Sequence, residues 1–242
     1  MGALWDLLFS LFCGLLGLCS QDTCRVLDHA ASEHIVCSYA LQDVSVRLFL
    51  KNKDGIPYGR FARLTSELSE PPLMMMNGGM YHDDLGAVGL YVENGVQQQR
   101  ISTKAGWGNF HLLPNGVFWI QGDRAGVTET RAFIKSAIKP DFATQSGPML
   151  VIDGKMHHRF LKNSDSRKVR NGVGISSNGK ILHFAISKGA VTFWDFAELF
   201  QKRLKTPNAL FLDGTVSAIQ AKGFQRGGWR EIGPIIGVLK KR

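Results

Sequence analysis

Several large enzyme classes are missing their signatures here. The 242 residues contain no HExxH, no Walker motif and no GxGxxG opening a helix. Zinc-protease, nucleotide-hydrolase and dinucleotide readings therefore have no support. No CxxC pair occurs, which removes zinc-ribbon and thioredoxin-like readings. No Lys/Arg run is interleaved with aromatics, so the net charge of +9 does not describe a nucleic-acid surface. An anionic cell surface or a phosphorylated substrate remains compatible with that charge. No apolar run reaches the roughly 20 residues of a membrane span. The longest, "ALWDLLFSLFCGLLGL" (3–18), reads as a secretory h-region cleaved near Cys19 to Gln21, or as a retained N-terminal anchor. No Lys or Arg precedes it, and Asp6 sits in its start. Without residues 1–20 the charge becomes +10, 29 basic against 19 acidic residues.

Cysteine is scarce. Cys13 and Cys19 belong to the leader, leaving Cys24 and Cys37 in the mature chain. An even count in an exported protein predicts one disulfide, Cys24 to Cys37; two free thiols would need a reducing compartment. The expected location is the periplasm or the exterior, with the membrane involved only through the N-terminal segment.

What is abundant is glycine, 27 residues against 8 prolines, placed between short apolar segments. "VSVRLFL" (44–50) and "LMMMN" (73–77) read as strands, and "FARLTSELS" (61–69) as a helix ended by Pro71-Pro72. Asn-Gly or Asp-Gly turns predict hairpins in "AVGLYV-ENG-VQQQRI", "FHLL-PNG-VFWI", "PMLVI-DG-KMH" and "GVGISS-NG-KILHFAI". "TRAFIKSAI" (130–138) reads as a short helix. "TFWDFAELFQKRL" (192–204) reads as a longer one, capped by Thr192 with Asp195 three residues on. "ALFLDG" and "PIIGVLKK" close the chain as strands. The pattern is α+β: antiparallel or mixed sheets built from hairpins, with about three helices, in one domain over residues 24–242.

Four strand–loop junctions carry polar residues beside glycine: Asn77 in "MNGGMYH", Gln145-Ser146 in "ATQSGPMLV", Arg170 in "RKVRNGVGI" and Asp213 in "LFLDGTVSAI". Each has a plain reading as a turn, a loop cap, an ion-paired arginine or an Asp-Gly turn. Together they offer amides, a hydroxyl, a guanidinium and a carboxylate. His157-His158 would alternate across a regular strand and make a poor metal pair. Asp83-Asp84 reads as a solvated turn, and "KGFQRGGWR" (222–230) as a basic loop. No cofactor or metal site is expected.

In order, "MNGGMYH", "GNFHLLPNGVFW", "FATQSGPMLVIDG", "VRNGVGI" and "LFLDGTVSAI" resemble the bacterial phosphodiester glycosidase family. That family shares its domain with the catalytic region of the mammalian uncovering enzyme, which removes N-acetylglucosamine from a phosphodiester. The resemblance runs from about Cys24 to Leu239. It implies an exported hydrolase of a sugar 1-phosphodiester, such as an envelope glycan, with a surface cavity in an α+β fold. It further implies Asp213, Arg170 and Asn77 as catalytic residues. Gly78, Gly79, His111, Gln145, Ser146, Gly147, Gly214 and Ser217 would bind substrate. Where mammalian relatives read Asp-Gly-Gly-Gly-Ser, this chain reads "DGTVS", a departure that bears on substrate choice. A non-catalytic glycan-binding protein and a metal-dependent phosphoesterase are the alternatives. In the glycosidase reading Arg170 clamps the leaving phosphate. Asp213 would serve the oxocarbenium-like centre as stabiliser, nucleophile or base.

Overall fold

The computed structural model describes residues 23–214 and 216–241. The expected leader, with Cys13 and Cys19, lies outside the described residues, as does Thr215.

Three sheets, with strands numbered along the chain, share one core. The largest has the order β1 (Cys24–His29), β2 (Ser32–Ala40), β13 (Ile181–Ser187), β12 (Asn171–Ile175), β14 (Asn208–Asp213), β10 (Met149–Ile152), β11 (Lys155–Met156). The second runs β16 (Phe224–Arg226), β15 (Ile219–Ala221), β4 (Met74–Asn77), β17 (Ile235–Lys240), β3 (Val44–Phe49). The third runs β6 (Val96–Gln99), β5 (Tyr91–Glu93), β9 (Phe142–Ser146), β7 (Gly116–Gln121), β8 (Arg124–Glu129). Neighbouring strands pair antiparallel throughout, so the α+β expectation holds.

Helices α1 (Phe61–Glu67), α2 (Thr130–Lys135) and α3 (Phe193–Glu198) each cover the outer face of one sheet. The methionine run shows why both faces of a strand can be apolar. Met74 and Met76 enter the central core, while Met75 turns outward under Phe61 and Leu64 of α1. β14 repeats the pattern: Leu210 and Leu212 face inward, Ala209 and Phe211 face α3. Thr192 caps α3 as expected, its Oγ1 accepting a hydrogen bond from the Asp195 amide at 3.0 Å. A π-helical turn, Leu199–Arg203, extends the helix.

Asn94-Gly95 and Asp153-Gly154 take the paired positive φ angles of tight hairpin turns. The β1–β2 hairpin turns on Ala30 and Ala31, both also at positive φ, so no local turn signal announced it. Cys24 and Cys37 are directly opposed across that hairpin and form a disulfide.

Two expectations are corrected. "FHLL" is no strand: Asn109–His111 is a 3-10 turn. β7 already pairs with β8 on one side and β9 on the other, leaving no edge for it. His157 and His158 do not alternate across a strand. They follow β11 and stack with ring centroids 5.0 Å apart, and His157 is buried.

Candidate functional site

The three sheets meet where β4 ends at Asn77, β14 ends at Asp213, β12 begins at Asn171 and β9 ends at Ser146. Antiparallel pairing sets Asn171 opposite Asp213, with an irregular register just beyond. The Asn171 side chain knots these ends together. Its Nδ2 donates to Asn77 Oδ1 at 2.7 Å and to the Asn77 carbonyl at 3.2 Å. Its Oδ1 accepts from the Asp213 amide at 2.8 Å and from Ser217 Oγ at 3.4 Å. Ser217 Oγ also lies 2.8 Å from the Asp213 carbonyl and 3.0 Å from that of Gly214. The Gly214 amide donates to Asp213 Oδ1, which fixes one side of the carboxylate. Asn77 Oδ1 also accepts from the Ala218 amide at 2.8 Å. Its Nδ2 is buried with no partner among the described residues.

Asn77, Asp213, Gly214 and Ser217 are thus brought together through Asn171, which the sequence pattern alone does not single out. Asn171 sits next to Arg170 in "VRNGV", and only the register with β14 marks it.

Arg170 leaves the opposite face of the same strand end. It is 1% exposed and passes under the start of α3, its guanidinium carbon 3.5 Å from the Phe193 ring centroid and 5.6 Å from that of Phe211. Nε donates to the Val191 carbonyl and Nη2 to the Ser166 carbonyl, both at 3.0 Å. These bonds occupy the Nε–Nη2 edge that would grip a phosphate side-on, so an anion would meet the guanidinium from its Nη1 end. Nη1 is buried and unpartnered, and no carboxylate pairs with the guanidinium among the described residues. Burial lowers its pKa to about 10. A buried cation without a counter-charge is costly and marks a place where an anion would be welcome.

Gln145, Ser146 and Gly147 brace the floor. Gln145 Oε1 accepts from the amides of Leu90 and Ser102, and Nε2 donates to the Ser102 carbonyl and Thr130 Oγ1. With two bonds accepted and two donated, its amide has no capacity left for a sugar. Ser146 Oγ donates to the Leu212 carbonyl at 2.8 Å, tying the third sheet to β14. A Cβ on Gly147 would stand 2.6 Å from Asn115 Cβ. A Cβ on Gly79 would stand 2.6 Å from the Gln145 carbonyl oxygen, and one on Gly78 3.2 Å from Pro234. The glycines after Asn77 therefore let β4 turn tightly against β9 and Pro234. His111 lies on the 100–113 loop, where its Nδ1 is 2.9 Å from the Lys104 carbonyl oxygen. Its neighbour Phe110 joins it to the floor, the Phe110 carbonyl accepting from Asn115 Nδ2.

Tyr81 is a further neighbour. Its hydroxyl donates to the Glu231 carbonyl at 3.0 Å. Burial, then the nearby Asp213 charge, pushes its pKa up to about 12, with Arg230 opposing. Arg226 is occupied by the carbonyls of Ser187 and Lys188. A cleft of about 730 Å³ lies elsewhere: Arg47, Glu70, Asp141 and Lys241 line it, at the far end of β3 and β17. No three His, Cys, Asp or Glu side chains among the described residues converge to hold a metal ion.

Residues 73–238 match the family model described as phosphodiester glycosidase. A relative in Escherichia coli (strain K12), the uncharacterized protein YigE, is 37% identical over 208 residues, covering 84% of this chain and 80% of its own. Among solved structures, the zebrafish N-acetylglucosamine-1-phosphodiester alpha-N-acetylglucosaminidase catalytic domain, auto-inhibited by its pro-peptide, superposes with a TM-score of 0.65. It is 14% identical, over 90% of this chain and 82% of that one. A hypothetical protein from Synechocystis gives a TM-score of 0.55, with 14% identity over 90% and 61%.

Proposed function

Because the chain belongs to the phosphodiester glycosidase family, we propose that it hydrolyses the bond between C1 of a sugar and the phosphate of a phosphodiester. The observation that carries this reading is that a buried guanidinium without a counter-charge, Arg170, and a carboxylate, Asp213, sit at the ends of two paired strands.

Departure of a phosphomonoester needs charge stabilisation more than protonation, because that group leaves already ionised. Arg170 supplies positive potential in a dry site, where it acts strongly, with Nη1 as its free donor. Asn77 Nδ2 is a second unused donor, aimed by the bonds that Oδ1 makes to Asn171 and Ala218. Asp213 faces the positive charge that develops at C1. Water adds its oxygen to C1 and releases a proton to solvent, the C1–O bond breaks, and its electron pair leaves on the phosphate. Asn171, Ser217, Gly214, Gly78 and Gly79 hold this geometry, and Gln145, Ser146 and Gly147 brace it from below. Tyr81, still protonated at neutral pH, limits one side.

The Cys24–Cys37 disulfide supports an oxidising location, and with the apolar leader it fits an exported enzyme acting on an envelope glycan. Hydrolysis of an N-acetylglucosamine 1-phosphodiester in ¹⁸O-labelled water tests the reaction. Label should enter the sugar, and Asp213→Asn should lower kcat at least about 10³-fold while the circular dichroism spectrum is kept. Label in the phosphate would mean P–O cleavage and a different enzyme.

A further inference from the structure

Two tryptophans stand in solvent on loops that are anchored to residues of this site. Trp107 is 98% exposed and Trp229 is 74% exposed. An indole in water forgoes one of the largest apolar burials available to any side chain. Neither loop hangs loose. The Trp107 loop is tied by Ser102 to Gln145, by the Lys104 carbonyl to His111, and by Phe110 against the backbone of Gly147 and Gly89. The Trp229 loop is tied by the Glu231 carbonyl to Tyr81 and by the Ile232 amide to the Gly59 carbonyl. Gly227 of that loop packs against Ser217 and Ala218. The first loop is anchored to the floor beneath Asp213 and the second to the network around it. Leu161, 70% exposed, follows Phe160, which stacks on Phe193 above Arg170. Lys104, Lys162, Arg167 and Arg230 are exposed on the same loops.

We infer that Trp107 and Trp229 are stacking platforms for sugar units on either side of the cleaved linkage, and that the substrate is a chain of sugars joined through phosphodiesters. The C–H face of a pyranose packs on an indole, and the exposed cations draw the repeating phosphates. On this reading a single-unit diester occupies the Asp213 position and leaves both indoles unused. This inference rests on the proposed reaction for its kinetic test but has a separate binding test.

The kinetic test compares a hexamer of N-acetylglucosamine joined by 1-phosphodiesters with the methyl diester of one unit. The ratio of their kcat/KM values should fall about fivefold in Trp107→Ala and in Trp229→Ala, and about 20-fold in the double variant. Trp→Phe should restore most of the loss. The binding test uses the full chain carrying Asp213→Asn and titrates the hexamer calorimetrically. Each Trp→Ala change should weaken Kd about fivefold. Should no diester be turned over, the proposed reaction fails and this titration alone decides the platforms. An unchanged hexamer Kd in both tryptophan variants overturns the inference. So does loss of binding to phosphatidylglycerol vesicles with hexamer affinity intact, which would assign the indoles to a membrane surface.

Discussion

Asn171 holds the candidate site together at the scale of single residues, since one amide serves Asn77, Asp213 and Ser217. Asn171→Leu should leave Asn77 Oδ1 and the Asp213 amide short of partners and cost about 2–4 kcal/mol. Urea unfolding measures this, and a change below about 0.5 kcal/mol would show that the network is dispensable. Gly79→Ala pushes a methyl group into the Gln145 carbonyl. That neighbour is backbone and cannot rotate away, so a loss of about 1–3 kcal/mol is expected. Asn77, Arg170 and Asp213 stand out in the sequence as site candidates because each is a polar residue at the end of an apolar strand pattern. Gln145 and Ser146 broke it in the same way, yet their side chains serve the interior. Polarity at a strand end is one signal with two causes.

Helix α3 shows how an element positions a charge. Thr192 caps it, and the next residue, Phe193, lies on the Arg170 guanidinium. Thr192→Ala should cost about 1 kcal/mol in urea unfolding and lower kcat on the diester, because Phe193 loses its fixed seat. Equal stability loss with unchanged kcat would separate the helix from the site. The β1–β2 hairpin is stapled by Cys24–Cys37, which closes a 13-residue separation. Replacing both cysteines with serine should remove about 3 kcal/mol, read as a lower Tm than the oxidised protein and as no further loss on adding reductant. Hairpins with Asn-Gly or Asp-Gly were readable because those residues tolerate positive φ. The Ala30-Ala31 turn was not, because alanine enters that region only when the flanking strands impose it.

Across the whole molecule, acid should be the weak point. Burial lowers the pKa of His157 and His183 to about 4, and it also lowers His29 and His34. Above pH 6.5 these rings are neutral in both folded and unfolded chains. Between about pH 6.5 and 4 the unfolded chain binds protons that the folded chain refuses, so stability falls as pH falls through that window. Urea midpoints at pH 7.5, 6 and 4.5 should decline in that order; a flat series would mean that the buried histidines take up protons without loss.

The sequence by itself determined most element types, the α+β class, the disulfide pair and the family, because these rest on local periodicity, turn chemistry and a set of short motifs. The tertiary structure decided which strand ends meet, that Asn171 joins them, and that backbone carbonyls take the Nε–Nη2 edge of Arg170. It also left Trp107 and Trp229 exposed on loops tied to Gln145 and to Tyr81. Those facts depend on pairings such as Asn171 with Asp213 and Asn77 with Ile235, between segments far apart in the chain. Local preference specifies that a strand forms; the burial of both its faces against others specifies which strand lies next to it.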